Sequence, residues 1–76
     1  MSSAYVFINA EKGCENSVLQ NLNSSSVGEA HLVFGVFDII VKVNAESSAQ
    51  LKEIISRKIR RLDRVNSTLT LMVKES

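Results

Sequence analysis

Residues 30–43 place two apolar runs on either side of a short turn. The segment has Gly35 in the turn and Asp38 directly before Ile-Ile-Val at the start of the second run. Runs rich in β-branched and aromatic residues around a glycine are typical of a β-hairpin, because glycine adopts the positive φ that a chain reversal needs. The segment therefore predicts two antiparallel strands. Asp38 lies beside an apolar surface, so its charge needs a partner, and a ligand's ammonium group is one candidate.

The pattern on either side of this hairpin predicts strand, helix, hairpin, helix, strand. Residues 4–10 form the first expected strand, and apolar spacing over 14–23 predicts the first helix. Ser47 and Gln50 have the spacing of a capping box, so the second helix is expected to begin there. Its apolar stripe consists of Leu51, Ile54, Ile55, Ile59 and Leu62. The last strand is expected over 65–74.

This order predicts an α+β fold, a ferredoxin-like βαββαβ sandwich with both helices on one face of an antiparallel four-stranded sheet. Residues 6–8, 39–41 and 71–73 are continuous apolar runs. Because successive strand residues point to opposite faces, both faces of the sheet must be apolar. A large exposed apolar face marks an interaction site. We therefore expect a homodimer through the sheet face that the helices leave open.

Length and composition support association. The chain has 76 residues, and a domain of this size buries only about 60% of the surface that its unfolded chain exposes. One cysteine and one histidine provide neither a disulfide nor a structural metal site, and no cofactor is expected. No apolar segment approaches the roughly 20 residues that span a bilayer, so a cytoplasmic protein without membrane contact is expected. The net charge of +1 is too small to indicate nucleic acid.

Two segments resemble the effector-binding (RAM, AsnC-type) domain of the Lrp/AsnC transcription regulators. They are residues 35–40, Gly-Val-Phe-Asp-Ile-Ile, and residues 62–73, which contain Val-x-x-Thr-x-Thr. The resemblance implies a sheet-mediated dimer, often assembled into octamers, that binds amino acids where dimers meet. Phe37 stands where tyrosine is frequent, and Asp63-Arg64 where Pro-Gly is frequent.

The family usually has a DNA-binding helix-turn-helix domain before this one. Here the first strand begins almost at Met1, so we expect residues 1–76 to be a single stand-alone domain with no direct DNA binding. Such a domain would regulate transcription by co-assembly with full-length Lrp/AsnC-type regulators. No catalytic residue is expected.

The resemblance also implies a ligand site, and a branched-chain amino acid is the first expected effector. Asp38 would hold its ammonium group, the turn's backbone N–H groups its carboxylate, and the last strand would supply hydroxyls and apolar contacts. The expected ligand-binding residues are Gly35, Val36, Phe37, Asp38, Thr68, Thr70, Leu71 and Met72.

Simpler roles for these residues stay open. Aspartates often accept hydrogen bonds from backbone N–H groups at turns, which is an alternative role for Asp38. Thr68 and Thr70 are β-branched and fit a strand without any ligand. Phe37 fits either a core position or the wall of a pocket.

Two other functional classes share this strand order. An RNA-binding module would stack bases on aromatic residues of the sheet, here Tyr5 and Phe7. A small dimeric ferredoxin-like enzyme would need a positioned base, for which His31 and Asp38 are the candidates.

Overall fold

The structure is a computed structural model and describes residues 1–25 and 27–74. Its elements in chain order are β1 (Ser2–Ala10), α1 (Glu15–Ser24), β2 (Glu29–Leu32), β3 (Ile39–Ala45), α2 (Ser48–Ile54), which continues as a π-helical turn (Ile55–Ile59), and β4 (Val65–Met72). The strands form one antiparallel sheet in the order β2-β3-β1-β4. The predicted ferredoxin-like βαββαβ fold is confirmed.

One face of the sheet packs against both helices. Alternate residues of the two central strands are completely buried there: Ala4, Val6, Ile8, Ile39, Val41 and Val43. From the helices, Val18 and Leu22 of α1 and Leu51 of α2 join the same cluster. Burying a Val, Leu or Ile side chain contributes about 1.5–3 kcal/mol, so this layer is the main source of stability.

The second helix begins as its sequence predicts and changes from α-helical to π-helical hydrogen bonding in its second half. The Gln50 backbone N–H donates to the Ser47 Oγ over 3.2 Å, which is the expected cap. At the other end, the Arg60 N–H donates to the Ile55 carbonyl five residues back, over 3.1 Å. Ile55 and Ile59 are buried on this π-helical turn. The predicted stripe is otherwise weaker at its edges, since Ile54 and Leu62 are only partly buried.

The opposite sheet face carries large apolar side chains that the two helices do not cover. We call this the open face, and it consists of Tyr5, Phe7, Ile40, Leu69 and Leu71. Tyr5 is 36% exposed, and Leu69 and Leu71 are 45% and 49% exposed. The strand register sets Tyr5 beside Leu71 and Phe7 beside Leu69, so the apolar side chains form a continuous surface.

The hairpin differs from the expected short turn. β2 ends at Leu32 and β3 begins only at Ile39, so six residues connect them. The Val33 N–H donates to the Asp38 carbonyl over 2.8 Å and closes this longer loop. Gly35 has φ +126°, a conformation that other residues rarely adopt.

The segment before β4 is joined to the end of β1 through Arg64 and Glu11. The Glu11 N–H donates to the Arg64 carbonyl over 2.7 Å, and Arg64 Nη1 lies 2.9 Å from Glu11 Oε2. Arg64 has φ +71°, which costs a non-glycine residue roughly 1–2 kcal/mol. A glycine at this position would adopt the same left-handed conformation without that cost.

Replacing Arg64 by glycine or by alanine separates backbone strain from the ion pair. Both variants lose the side-chain contact with Glu11 and keep the backbone hydrogen bond, but only Arg64→Gly relieves the strain. We expect the free energy of unfolding of Arg64→Gly to exceed that of Arg64→Ala by about 1 kcal/mol, as measured by urea denaturation. Equal stabilities of the two variants would show that the positive φ carries no cost here.

The same pair predicts a pH dependence of stability. The side-chain hydrogen bond from Arg64, with a smaller effect of Cys14, lowers the pKa of Glu11 below its usual 4.5. Because the folded pKa is the lower one, ionised Glu11 stabilises the fold above about pH 4.5, and this contribution is lost as the pH falls through the lowered pKa.

We therefore expect the melting temperatures of the wild type and Arg64→Ala to converge as the pH is lowered from neutral to about 3. The matched control is Arg61→Ala, because Arg61 is exposed and lies outside this ion pair. The melting temperature of Arg61→Ala should differ from that of the wild type by the same amount at every pH. A constant gap between wild type and Arg64→Ala would contradict the assignment.

Candidate functional site

Asp38 continues the hydrogen-bond ladder between β1 and β3 beyond the point where the strands separate. Its N–H donates to the Ile8 carbonyl, and its Oδ2 accepts the N–H of Ala10, each over 3.0 Å. The side chain thus replaces a backbone carbonyl and is held half-buried. This is the structural role that the sequence left open, although the N–H group comes from β1 and not from the turn itself.

Asp38 also lines a cavity of about 350 Å³, which we call the Asp38 pocket. Its lining residues are Glu15, Asn16, Leu32, Val33, Phe34 and Asp38. The two ionisable groups are both carboxylates, and three of the other side chains are apolar. In the described hydrogen bonds only Oδ2 of Asp38 is engaged, so Oδ1 has acceptor capacity left. This lining matches a cationic group attached to an apolar one.

The loop that carries Asp38 projects apolar side chains into solvent. Phe34 is fully exposed and Val36 is 85% exposed. Phe37 turns the other way, and its ring centroid lies 5.5 Å from that of Phe7, beside the open face. Among the described hydrogen bonds, none is donated by the N–H groups of Gly35, Val36 or Phe37.

The candidate residues of β4 lie on two different faces. Thr68, Thr70 and Met72 pair with Ile8, Val6 and Ala4, and therefore share the helix-covered side of the sheet. Leu71 pairs with Tyr5 on the open face. In a single chain the eight predicted ligand residues therefore do not line one pocket.

A second cavity of about 400 Å³ lies between α2 and β4, and we call it the α2–β4 groove. Its lining residues are Lys52, Ile55, Ser56, Arg60, Thr70 and Met72. It shares no lining residue with the Asp38 pocket. Thr70 and Met72 were expected in a ligand site with Asp38, which lies elsewhere in the chain, and Lys52 and Arg60 were not among the predicted ligand-binding residues. Lys52, Ser56 and Arg60 are spaced at i, i+4 and i+8, and this spacing is the sequence signal that could have indicated their common helix face.

Other candidate groups lie apart from both cavities. His31 is an exposed residue of β2 whose Nε2 lies 3.8 Å from Glu29 Oε1. Cys14 precedes α1 and contacts the Glu11 and Arg64 side chains. Within residues 1–25 and 27–74, no group of three His, Cys, Asp or Glu side chains has the geometry of a metal site. No helix among those residues is long and apolar enough to cross a membrane.

Solved structures with the same fold are similar to this chain over nearly its whole length. The crystal structure of FFRP-DM1 has a TM-score of 0.90 and 29% identity, covering 97% of this chain and 100% of that one. Hypothetical protein PHS023 from Pyrococcus horikoshii has a TM-score of 0.90 and 28% identity, with coverages of 100% and 93%. Both of those chains therefore consist of little besides this domain.

AsnC from E. coli has a TM-score of 0.87 and 27% identity, covering 99% of this chain but 52% of AsnC. No curated protein sequence matches the chain. The family model of the Lrp/AsnC ligand binding domain matches residues 3–76. This agrees with the resemblance carried by residues 35–40 and 62–73. The chain belongs to the Lrp/AsnC ligand binding domain family.

Proposed function

We propose that this protein is a regulatory sensor, not an enzyme, that binds an amino acid and holds the ammonium group of this effector at Asp38. The observation that carries the proposal is the Asp38 pocket, in which a half-buried carboxylate with one uncommitted oxygen adjoins apolar side chains. Membership of a ligand-binding regulatory family supports the same role.

Three sets of groups in and beside the pocket would contact the three parts of an amino acid: its ammonium group, its side chain and its carboxylate. Asp38 and Glu15 face the ammonium group, and the apolar wall formed by Leu32, Val33 and Phe34 contacts the side chain. The uncommitted N–H groups of Gly35, Val36 and Phe37 are the proposed donors to the carboxylate. A branched-chain amino acid fits this division best, because three apolar side chains form the wall and Asn16 is the one neutral polar side chain among the described lining residues.

The expected affinity follows from the size of these contacts. A hydrogen bond to a charged group contributes about 1.5–3 kcal/mol, and burying a leucine side chain about 1.5–3 kcal/mol more. After the entropic cost of association, a dissociation constant between about 1 μM and 1 mM is expected. This range suits a sensor that responds to changes in metabolite concentration.

Assembly is the second part of the proposal. Two chains would stack through their open faces as a homodimer, because isolated exposure of this apolar surface is costly. Thr68, Thr70, Leu71 and Met72 would then contact an effector only from a neighbouring subunit, since they lie away from the Asp38 pocket within one chain. A ligand that touches two dimers stabilises the larger assembly, such as an octamer.

The same surface provides a route to transcription regulation. A full-length Lrp/AsnC-type regulator has a domain of this kind, so the open face can pair with it and form a mixed assembly. In that role the domain itself contacts no DNA, and the regulator's assembly responds to both partners. Residues 1–76 would act as one stand-alone effector-binding unit.

A thermal-shift screen of the twenty amino acids tests the effector site. We expect at least one amino acid to stabilise the wild type, and Asp38→Asn to weaken its binding by about tenfold or more, because the charged partner of the ammonium group is lost. Asparagine keeps an oxygen that can accept the Ala10 N–H, so the fold should persist. The control is Asp63→Asn, an exposed acid outside the pocket.

Two results would count against this assignment. If no amino acid stabilises the wild type at high millimolar concentration, the sensor function is wrong. If stabilisation is unchanged in Asp38→Asn, the effector is held without the proposed ammonium contact.

Substitutions of two adjacent residues of β4, which point to opposite faces of the sheet, test the proposed dimer. Leu71 lies on the open face and is 49% exposed, whereas Met72 lies on the other face and is 41% exposed. We expect Leu71→Lys to convert the dimer to a monomer, because a lysine within a sheet-to-sheet contact would be desolvated. Met72→Lys should stay dimeric. Sedimentation at micromolar concentration distinguishes the two, and a folded monomeric wild type would refute the dimer.

A further inference from the structure

The α2–β4 groove has a charge opposite to that of the Asp38 pocket. Among the described residues its two ionisable side chains, Lys52 and Arg60, are both basic, and none of the acidic side chains within 1–25 and 27–74 lines it. In the part of the chain that the structure describes, neither of them forms an ion pair, whereas Arg57 on the same helix lies 3.4 Å from Glu53. The groove therefore presents two uncompensated cations.

The floor of the groove contains a hydroxyl that lacks a partner. Thr70 Oγ1 is buried and makes no hydrogen bond to any described residue. Buried polar groups in folded proteins are almost always hydrogen-bonded, so Thr70 Oγ1 has unused hydrogen-bonding capacity that a ligand can reach once the groove side chains around it shift. The Ser56 side chain lies in the same lining and can provide a second hydroxyl.

The π-helical turn contributes to the shape of this groove. Ile55 and Arg60 are joined by the i to i+5 hydrogen bond of that turn, and both line the groove. The turn thus sets an apolar side chain beside a guanidinium group. π-Helical turns inside α-helices are frequently found at functional sites.

We infer that the α2–β4 groove is a second ligand site, specific for a small aliphatic carboxylate that lacks an ammonium group. Lys52 and Arg60 would donate charge-assisted hydrogen bonds to the carboxylate. Ile55 and Met72 would contact the aliphatic part, and the flexible thioether of Met72 adapts to its shape. An amino acid is disfavoured, because no lining carboxylate pairs with its ammonium group. Within one chain this site shares no lining residue with the Asp38 pocket, although Thr70 and Met72 are also proposed to contact an effector held by a neighbouring subunit.

Isocaproate and leucine are a matched pair of probes, because isocaproate is leucine without its ammonium group. Calorimetric titration of the intact chain with isocaproate should give saturable binding. We expect the double variant Lys52→Gln/Arg60→Gln to lower its affinity by about tenfold or more. The control Lys58→Gln/Arg61→Gln makes the same change of charge at exposed positions outside the groove and should bind like the wild type.

Thr70→Val removes the Thr70 hydroxyl while keeping the side-chain volume nearly constant, and therefore tests the contribution of this hydroxyl to binding. It should weaken isocaproate binding, while Thr68→Val, on the same face of β4 but outside the lining, should not. Both variants keep a β-branched strand residue, so folding should be retained.

Three results would overturn the inference. They are the absence of saturable isocaproate binding, equal affinities of the groove double variant and the wild type, and loss of isocaproate binding in Asp38→Asn with retention in the groove variant. Titration of the wild type and of Asp38→Asn with leucine measures binding at the proposed effector site, and its result does not decide whether isocaproate binds in the groove. The two hypotheses can therefore fail separately.

Discussion

The alternation of side chains along β1 is the constraint on which the rest of the structure depends. β1 lies between β3 and β4, and its even-numbered residues from Ala4 to Ala10 are buried against the helices. The odd-numbered residues, among them Tyr5 and Phe7, must then point to the other face. Two short helices can cover only one side of a four-stranded sheet. A chain of this size therefore reaches a satisfactory core only at the cost of leaving a second apolar surface for a partner to cover.

Asp38 connects the architecture of the sheet with the proposed chemistry. One carboxylate oxygen completes the ladder at Ala10, which fixes the side chain in a single orientation at the wall of the pocket. A carboxylate that is already ordered loses little conformational entropy when a ligand binds. The structural and ligand roles of Asp38 are thus complementary, because the hydrogen bond to the backbone orients the oxygen that remains.

Much of the fold could be predicted from local pattern. Apolar spacing and the Ser47 cap identify the helices, and apolar runs identify the strands, because these signals depend on residues close in sequence. The length of the loop before Asp38 could not be predicted in this way, since it depends on the hydrogen bond between Val33 and Asp38. The π-helical turn at Ile55 also leaves no distinct mark on the apolar spacing.

The candidate site was predicted less completely for a related reason. Asp38 stands out because a charge directly precedes an apolar strand, but Lys52 and Arg60 come to line a cavity with Thr70 only through the placement of α2 on the sheet. The alternation of β4 alone already separates Thr70 from Leu71, so the two could not share a pocket within one chain.

The π-helical turn accommodates one extra residue between the Ser47 cap and β4. Deleting one residue there would restore α-helical spacing and leave the later helical positions on their present faces. Arg60 would stay at the groove, and Leu62 would still face the core. A deletion in the α-helical part before Ile55 would instead rotate every later position by about 100° around the axis. The turn is therefore the place where this segment can lose a residue without disturbing the core.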